Sequence, residues 1–265
     1  MNNEEMFKLW DELSDFGSHE SDEALNHCMQ SICKWIGADQ AFWVGAVRIV
    51  KGAKANRDPL SGWRIGGVHL LNPSEEALQR KKHALKSVRS NEPGDANIAL
   101  ISGVGHFRAH TMNQGELLDL DAFKKTEHYD YYYRQRGVSD RMWLAIPVND
   151  DVESFFNFDT YAKGRSFSTH ELELVAFALR GIKWFHRRLL MSHGLGISEE
   201  QITAAERRVI QLLLSGASEK EIAKKLELAP GTVHQYAVRI YRKFGVNGRT
   251  EFMSLWLGGD AKDTN

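Results

Sequence analysis

The sequence predicts an α+β protein, with an antiparallel sheet and flanking helices in roughly the first 190 residues and an all-α module of four short helices after it. Three observations carry this expectation. Apolar, β-branched and aromatic runs of strand length recur between residues 41 and 160, interleaved with segments of helical period. From Ile202 onward strand signals cease, and capping residues and glycines punctuate four helices. The charge divides at the same place: Gln201 to Leu257 holds nine Lys/Arg against five Asp/Glu, whereas the whole chain has 34 basic and 35 acidic side chains.

In chain order, Phe7, Trp10, Leu13 and Phe16 suggest a short first helix. Leu25, Cys28, Met29, Ile32 and Ile36 then recur at helical spacing and stop at Gly37, which predicts an amphipathic helix over 21–36. Strands are expected at 41–50, 62–71, 142–148 and 152–160, the last two joined as a hairpin through Asn149-Asp150-Asp151. Helices are expected at 74–90 and 120–136; within 91–118 only a strand near 106–112 is suggested. Ser168-Thr169-His170-Glu171 is a capping box that opens a long helix over 168–191. One of its stripes (Leu172, Val175, Ala176, Leu179, Ile182) should pack on the sheet. A second (Leu174, Phe177, Ala178, Trp184, Phe185) is also apolar, so it meets either another subunit or another helix of its own domain. Met191–Glu200, with Gly194 and Gly196, reads as a loosely coupling linker. The expected domains are thus 1–190, a linker at 191–200, and 201–258.

Composition excludes several classes of protein. With 42% hydrophobic and 26% charged residues this is an ordinary globular chain, and its longest apolar stretch, Ala41–Val47, is far short of the roughly 18 residues a membrane helix needs. Met1 to Phe16 is acidic rather than basic-then-apolar, so no signal peptide and no membrane partner are expected. Cys28 and Cys33 lie five apart in a helical pattern and point in different directions, which suits a reduced, cytoplasmic setting. With His27 they fall short of the four ligands of a structural zinc. No phosphate-binding Gly-Lys loop, His-Glu-x-x-His pair or nucleophile elbow is present, so the expectation is no metal, no cofactor and no enzyme.

The C-terminal module is the most informative part. Thr203–Glu206 and Ser218–Glu221 are capping boxes, Gly216 ends the helix between them, and Pro230 opens a third that Gly245 closes. Helices are therefore expected at 204–214, 219–226, 230–244 and 249–257, a helix-turn-helix arrangement. On the third, Val233, Ala237, Ile240 and Phe244 fall on one face and should bury against Val209, Leu212, Leu213, Ile222, Ala223 and Leu226. The other face carries Gly231, His234, Gln235, Val238, Arg239, Arg242 and Lys243, with hydrogen-bonding groups toward its start and cations toward its end, the division used by a helix that reads a major groove.

These residues resemble the LuxR-type DNA-binding domain. Thr203, Glu206, Gly216, Ser218, Lys220, Glu221, Ile222, Ala223, Leu226, Thr232, Val233, Ile240, Lys243, Gly245, Val246 and Arg249 match its pattern in register. The resemblance implies a four-helix reader that binds double-stranded DNA and dimerises through its last helix. Carried over residue by residue, it places His234, Gln235 and Val238 at base-reading positions and Lys220, Thr232, Tyr236, Lys243 and Arg249 near the backbone. The chain departs from the pattern at Ala229, which forfeits a cap worth about 1 kcal/mol, at His234 in place of Lys or Arg, and at Tyr236 in place of His, so base preference should differ from that of typical members.

The order of elements before residue 190, with TEHYDYYYRQRGVSDRMWLAIPVND and FSTHELELVAFALR, resembles a GAF-like sensor domain. That implies a small-molecule pocket, with Trp43, Trp63, Tyr132, Trp143 and Phe155 as lining candidates and Arg48, His69 or Asp159 as polar groups. The resulting expectation is a homodimeric transcriptional regulator joined through Phe177 and Trp184 together with Phe252, Met253 and Trp256, with a small-molecule effector and RNA polymerase as further candidate partners. A ligand-independent regulator, or an enzyme with an appended reader, are the alternatives.

Overall fold

A computed structural model describes residues 3–89, 103–114, 119–196 and 202–256. Helix α1 (Asn3–Asp15) and α2 (Ser21–Ile36) come first, α2 ending where Gly37 takes up a left-handed φ of 57°. Strands β1 (Gln40–Arg48) and β2 (Trp63–Leu70), helix α3 (Glu75–Arg89) and strand β3 (Arg108–Thr111) follow. The 120–136 segment is not one helix. It forms a single turn, α4 (Leu120–Phe123), then α5 (Glu127–Tyr129), which runs into a π turn over Asp130–Arg134. Thr126 causes the interruption: its hydroxyl donates to the Phe123 carbonyl at 2.8 Å and accepts the Tyr129 amide at 3.1 Å, starting a new helix where the old one ends.

Strands β4 (Asp140–Asn149) and β5 (Val152–Thr160) complete an antiparallel five-stranded sheet of order β2-β1-β5-β4-β3. The two-residue side-chain period gives the sheet two unlike faces. On one, Trp43, Met142, Leu144, Phe156 and Phe158 pack against Leu25, Met29 and Ile32 of α2 and against the two helices that follow β5. Each such side chain contributes about 1.5–3 kcal/mol of burial. Cys28 and Cys33 lie in this core as free thiols, and burial raises both, Cys33 to about 12. The second face carries Trp63 and Phe155 in one apolar group and Trp143, Tyr133 and Phe123 in another.

The expected long helix is two, α6 (Thr169–Arg180) and α7 (Lys183–Ser192), broken at Gly181-Ile182. Trp10 of α1 lies across the break; its indole donates to the Ala178 carbonyl at 2.9 Å, and a Cβ on Gly181 would stand 2.5 Å from its ring. The next carbonyl, of Leu179, accepts the Ile182 amide at 3.3 Å and also His186 Nε2 at 2.8 Å. Because a carbonyl only accepts, Nε2 carries the proton; His186 Nδ1 then accepts from the Ser154 hydroxyl at 2.9 Å, and Ser154 Oγ accepts from Trp43 Nε1 at 2.7 Å. This buried chain ties the sheet to the helix break with every member satisfied.

Past α7 the described part of the linker, 193–196, is seated rather than loose. Gly194 and Gly196 take left-handed φ values of 72° and 81°, and they turn the chain so that Leu195 fits over Gly45 and Gly66, where any side chain would overlap it. His193 packs at a tilt against Trp43, with ring centroids 4.6 Å apart. Of the expected linker, 191–192 belong to α7 and 197–200 lie outside the described residues. Helices α8 (Ala204–Leu214), α9 (Glu219–Leu226), α10 (Pro230–Lys243) and α11 (Arg249–Trp256) then enclose a second core that also takes in Met191.

Burial lowers His186 to about 4, against a smaller upward pull from its bond to Leu179, and burial followed by the nearby Arg207 lowers His193 to about 3. Both imidazoles are neutral in the folded chain while the unfolded chain binds their protons near pH 6.5. Stability is therefore complete above that pH and falls as the solution is acidified toward 4, by up to about 1.4 kcal/mol per pH unit for each histidine. Melting temperatures from pH 7.5 to 4.5 should show this decline, and His186→Gln should make it shallower; an unchanged slope would contradict the network.

Candidate DNA-reading helix and sensor face

Helix α10 forms from Pro230 at its first position, with Ala229 as an N-cap that offers no side-chain bond. Val233, Ala237 and Ile240, followed by Phe244, are buried against Val209, Ile210 and Leu213 of α8 and Ile222 and Ala223 of α9; Leu212 and Leu226 border this core half-buried. The opposite face stands in solvent. His234, Gln235, Val238, Arg239 and Arg242 are all exposed, Val238 by 51% although it is apolar. His234 lies 3.2 Å from Glu219, and Arg239 stacks at 4.7 Å on half-buried Tyr236. Thr232 is half-buried at the first turn, and Lys220 is exposed on α9. Such a surface offers hydrogen-bonding groups and a methyl contact over two turns and cations behind them.

Two expected backbone-contact residues are elsewhere engaged. Lys243 is nearly buried and donates to Glu206 at 2.9 Å; Glu206 in turn accepts the Thr203 amide at 2.8 Å. Burial opposes ionisation of Glu206, but the Thr203 amide and Lys243 together hold its carboxyl below the usual range. Arg249 donates to the carbonyls of Ala217 at 2.8 Å and Leu213 at 2.5 Å, and so closes the C-terminal end of α8. Their charges hold the helices together instead of facing outward. Helical periodicity places Lys243 near the outward face; only the packing of α10 on α8 brings Glu206 beneath it.

The sensor candidates divide between the two faces of the sheet. Trp63 and Phe155 share one apolar group with Ala46 and Ala145, and Trp143 adjoins Tyr132 in the neighbouring one. Trp43 is on the opposite, helix-covered face, fully buried and bonded to Ser154, because strand alternation separates it from Ala46 and Arg48. His69 is opposite Trp43 and shares its side, bonded to Asn26 at 2.9 Å. Sequence reasoning named Arg48 and Asp159 on the second face but missed the arginines and the glutamate beside them. Arg141 holds Asp159 in a two-point contact of 2.5 and 2.8 Å, Arg136 approaches the same carboxylate at 3.1 Å, and Arg108 holds Glu153 at 2.7 Å. Alternation of charged with aromatic residues along β5 was the available signal.

For dimerisation, Phe177 (62% exposed) and Trp184 (43%) do reach solvent, and Phe177 continues through Trp10, stacked at 6.3 Å, to exposed Phe7. Ala178 and Phe185 of the same stripe are buried within the domain. Phe252 is fully buried in the reader core, Trp256 packs on it at 4.8 Å and Met253 is half-buried, so the Phe252 side chain cannot contact a partner. Its aromatic character reflects packing on Phe244.

The two parts of the chain also meet directly. Arg207 of α8 pairs with Asp22 at the start of α2 and donates to the Ser192 carbonyl at 3.2 Å, while Gln211 reaches Asp22 at 3.3 Å. Burial works against ionisation of Asp22, yet Arg207, His69 and His193 more than offset it and hold the carboxyl below its ordinary range. Among the described residues no group of three or more His, Cys, Asp or Glu is placed to hold a metal ion, and no helix is long and apolar enough to cross a membrane.

Comparison with known proteins agrees with the architecture of the reader. Residues 200–256 match the luxR family of bacterial regulatory proteins, so the chain carries a LuxR-type helix-turn-helix domain at its C-terminal end. A probable HTH-type transcriptional regulator, GfsR of Streptomyces halstedii, is 38% identical over 63 residues, 24% of this chain and 26% of that protein. A putative HTH-type transcriptional regulator of Aeromonas salmonicida is 22% identical over 154 residues, 49% of this chain and 79% of that one. The present chain thus spans about a quarter of the length of GfsR. Among solved structures, SdiA in complex with octanoyl-rac-glycerol aligns over 95% of this chain and 92% of its own at 13% identity, with a TM-score of 0.46.

Removing the Lys243 amine while leaving Glu206 buried should cost about 1–3 kcal/mol. Lys243→Met should therefore lower the denaturation midpoint clearly, whereas Arg242→Met, on the exposed side of the same helix, should leave it within about 0.5 kcal/mol.

Proposed function

We propose that this protein is a cytoplasmic, homodimeric transcriptional regulator that reads duplex DNA with α10 and responds to a small molecule held on the second face of its sheet. The observation that carries the DNA reading is the exposed set His234, Gln235, Val238, Arg239 and Arg242 on a helix whose other face is locked into a LuxR-type core. Regulation rather than catalysis fits both the family match and the relatives' description as transcriptional regulators. With Lys243 and Arg249 used internally, the phosphate-facing cations are Lys220 and Arg242, and Thr232 and Tyr236 flank the contact.

One reading head of this size contacts only a short half-site, so two-fold pairing with half-sites about one helical turn apart is the route to useful affinity. The aromatic strip Phe7, Trp10, Phe177 and Trp184 supports pairing through the sensor domain. The seated linker and the Asp22–Arg207 pair support transmission through a fixed rather than a loose connection. An effector that favours one seating of Leu195 over another then shifts the disposition of the reading heads.

On a selected site, Gln235→Ala should cost about 1–3 kcal/mol and relax preference at one base position, while Arg242→Ala should weaken all sequences alike and reduce the salt slope by about one. Unchanged binding in both variants would refute the groove assignment. Phe177→Glu should convert a sedimenting dimer into monomer, because a charge in a dry interface is costly; a wild-type protein that sediments as monomer with and without DNA would remove the dimer instead.

A further inference from the structure

We infer that the effector is an organic acid, its carboxylate anchored by Arg48 and Trp63 at the β1–β2 end of the second face. This deepens the proposal that the sensor domain binds a small molecule, and rests on it. Arg48 and Trp63 are direct partners across β1 and β2, and the Arg48 guanidinium stacks on the Trp63 ring at 5.2 Å. Trp63 is 1% exposed, yet among the described residues its Nε1–H has no hydrogen-bond partner, and neither does the buried Nε–H of Arg48. An indole N–H and a guanidinium can only donate, so the unmet requirement is for acceptor oxygens. Buried donors left unpaired are costly and uncommon in native proteins, which marks the place as one completed by another molecule.

The charge has the same sign. Glu153, opposite Ala46 on the adjacent strand, is the nearest carboxylate in register, and Arg108 already holds it from two nitrogens. Asp151 at the strand turn is paired with Lys51. Arg48 makes no ion pair among the described residues, so this end of the face carries one uncompensated positive charge, the complement of a monoanion. Its apolar floor of Ala46, Ala145 and Phe155 combines small with large side chains and suits a hydrocarbon or aromatic body.

The test uses the full chain with two acids, benzoate and octanoate, and their uncharged counterparts benzamide and octanamide. Both melting temperature and the indole 1H–15N resonances are recorded, the Trp63 signal being the one missing from Trp63→Phe. The expected result is that an acid raises the melting temperature and moves the Trp63 resonance while its amide does neither. Arg48→Gln should then weaken acid binding about tenfold or more with ligand-free folding, read by circular dichroism, unchanged. Arg48→Lys, which keeps the charge but loses Nε, should fall between. If amides bind as well as acids, or Arg48→Gln binds acid normally, the acid assignment is overturned while the effector reading stands. If no compound of either series shifts melting or resonance, the acid assignment fails and the ligand-independent regulator is favoured.

Discussion

The break between α6 and α7 at Gly181 is the constraint from which the rest of the arrangement follows. A continuous helix would have carried the chain straight off the sheet. Instead the carbonyls at the break take side-chain donors, Ala178 from Trp10 and Leu179, beside its 3.3 Å bond from the Ile182 amide, from His186. Because His186 is also fixed to Ser154 and Ser154 to Trp43, the direction of α7 is set by the sheet itself. The chain then arrives at the glycine-made notch of β1 and β2, where Leu195 seats, and the reader is delivered against α2, where Arg207 finds Asp22.

The two domains use charge in opposite ways. In the N-terminal domain, Arg141, Arg136 and Arg108 are committed to buried carboxylates on one face of the sheet, a costly arrangement that persists only when geometry satisfies both partners. In the C-terminal module, Lys243 and Arg249 are spent internally, and the exposed cations are Arg239 and Arg242 on the outward side of α10 with Arg208, Lys220, Lys224 and Lys225 on α8 and α9. The internal pairs sharpen the surface pattern: once Lys243 is withdrawn, the outward face is a compact set of polar groups with Val238 among them rather than a broad basic stripe.

Much of this was legible in the sequence because it depends on local rules. The capping boxes at Thr203, Ser218 and Ser168 form as their spacing requires, Gly37 ends α2, and the 219–226 helix has the expected bounds. The Asn149 hairpin and the strands around it follow from alternation and turn chemistry, and the inward stripe of α10 from helical period. These patterns fix which residues share a face and where an element starts or stops.

They do not fix what lies across from that face, and only the tertiary structure decided it. Nothing local distinguishes Trp43 from Trp63 as a pocket candidate; the sheet register and the helices on one side separate a core indole from one whose N–H is unpaired among the described residues. Gly181 reads as a tolerable residue in a helix until Trp10, distant in sequence, lies over it. Gly194 and Gly196 read as flexibility, whereas their left-handed turns fit Leu195 against two glycines of the sheet. Lys243 looks like a surface group by type and period and Phe252 like an interface group, yet the packing of α8, α10 and α11 buries both within the domain. The physical reason is common to all four: sequence spacing specifies local geometry, while solvation and pairing depend on neighbours supplied by residues far along the chain.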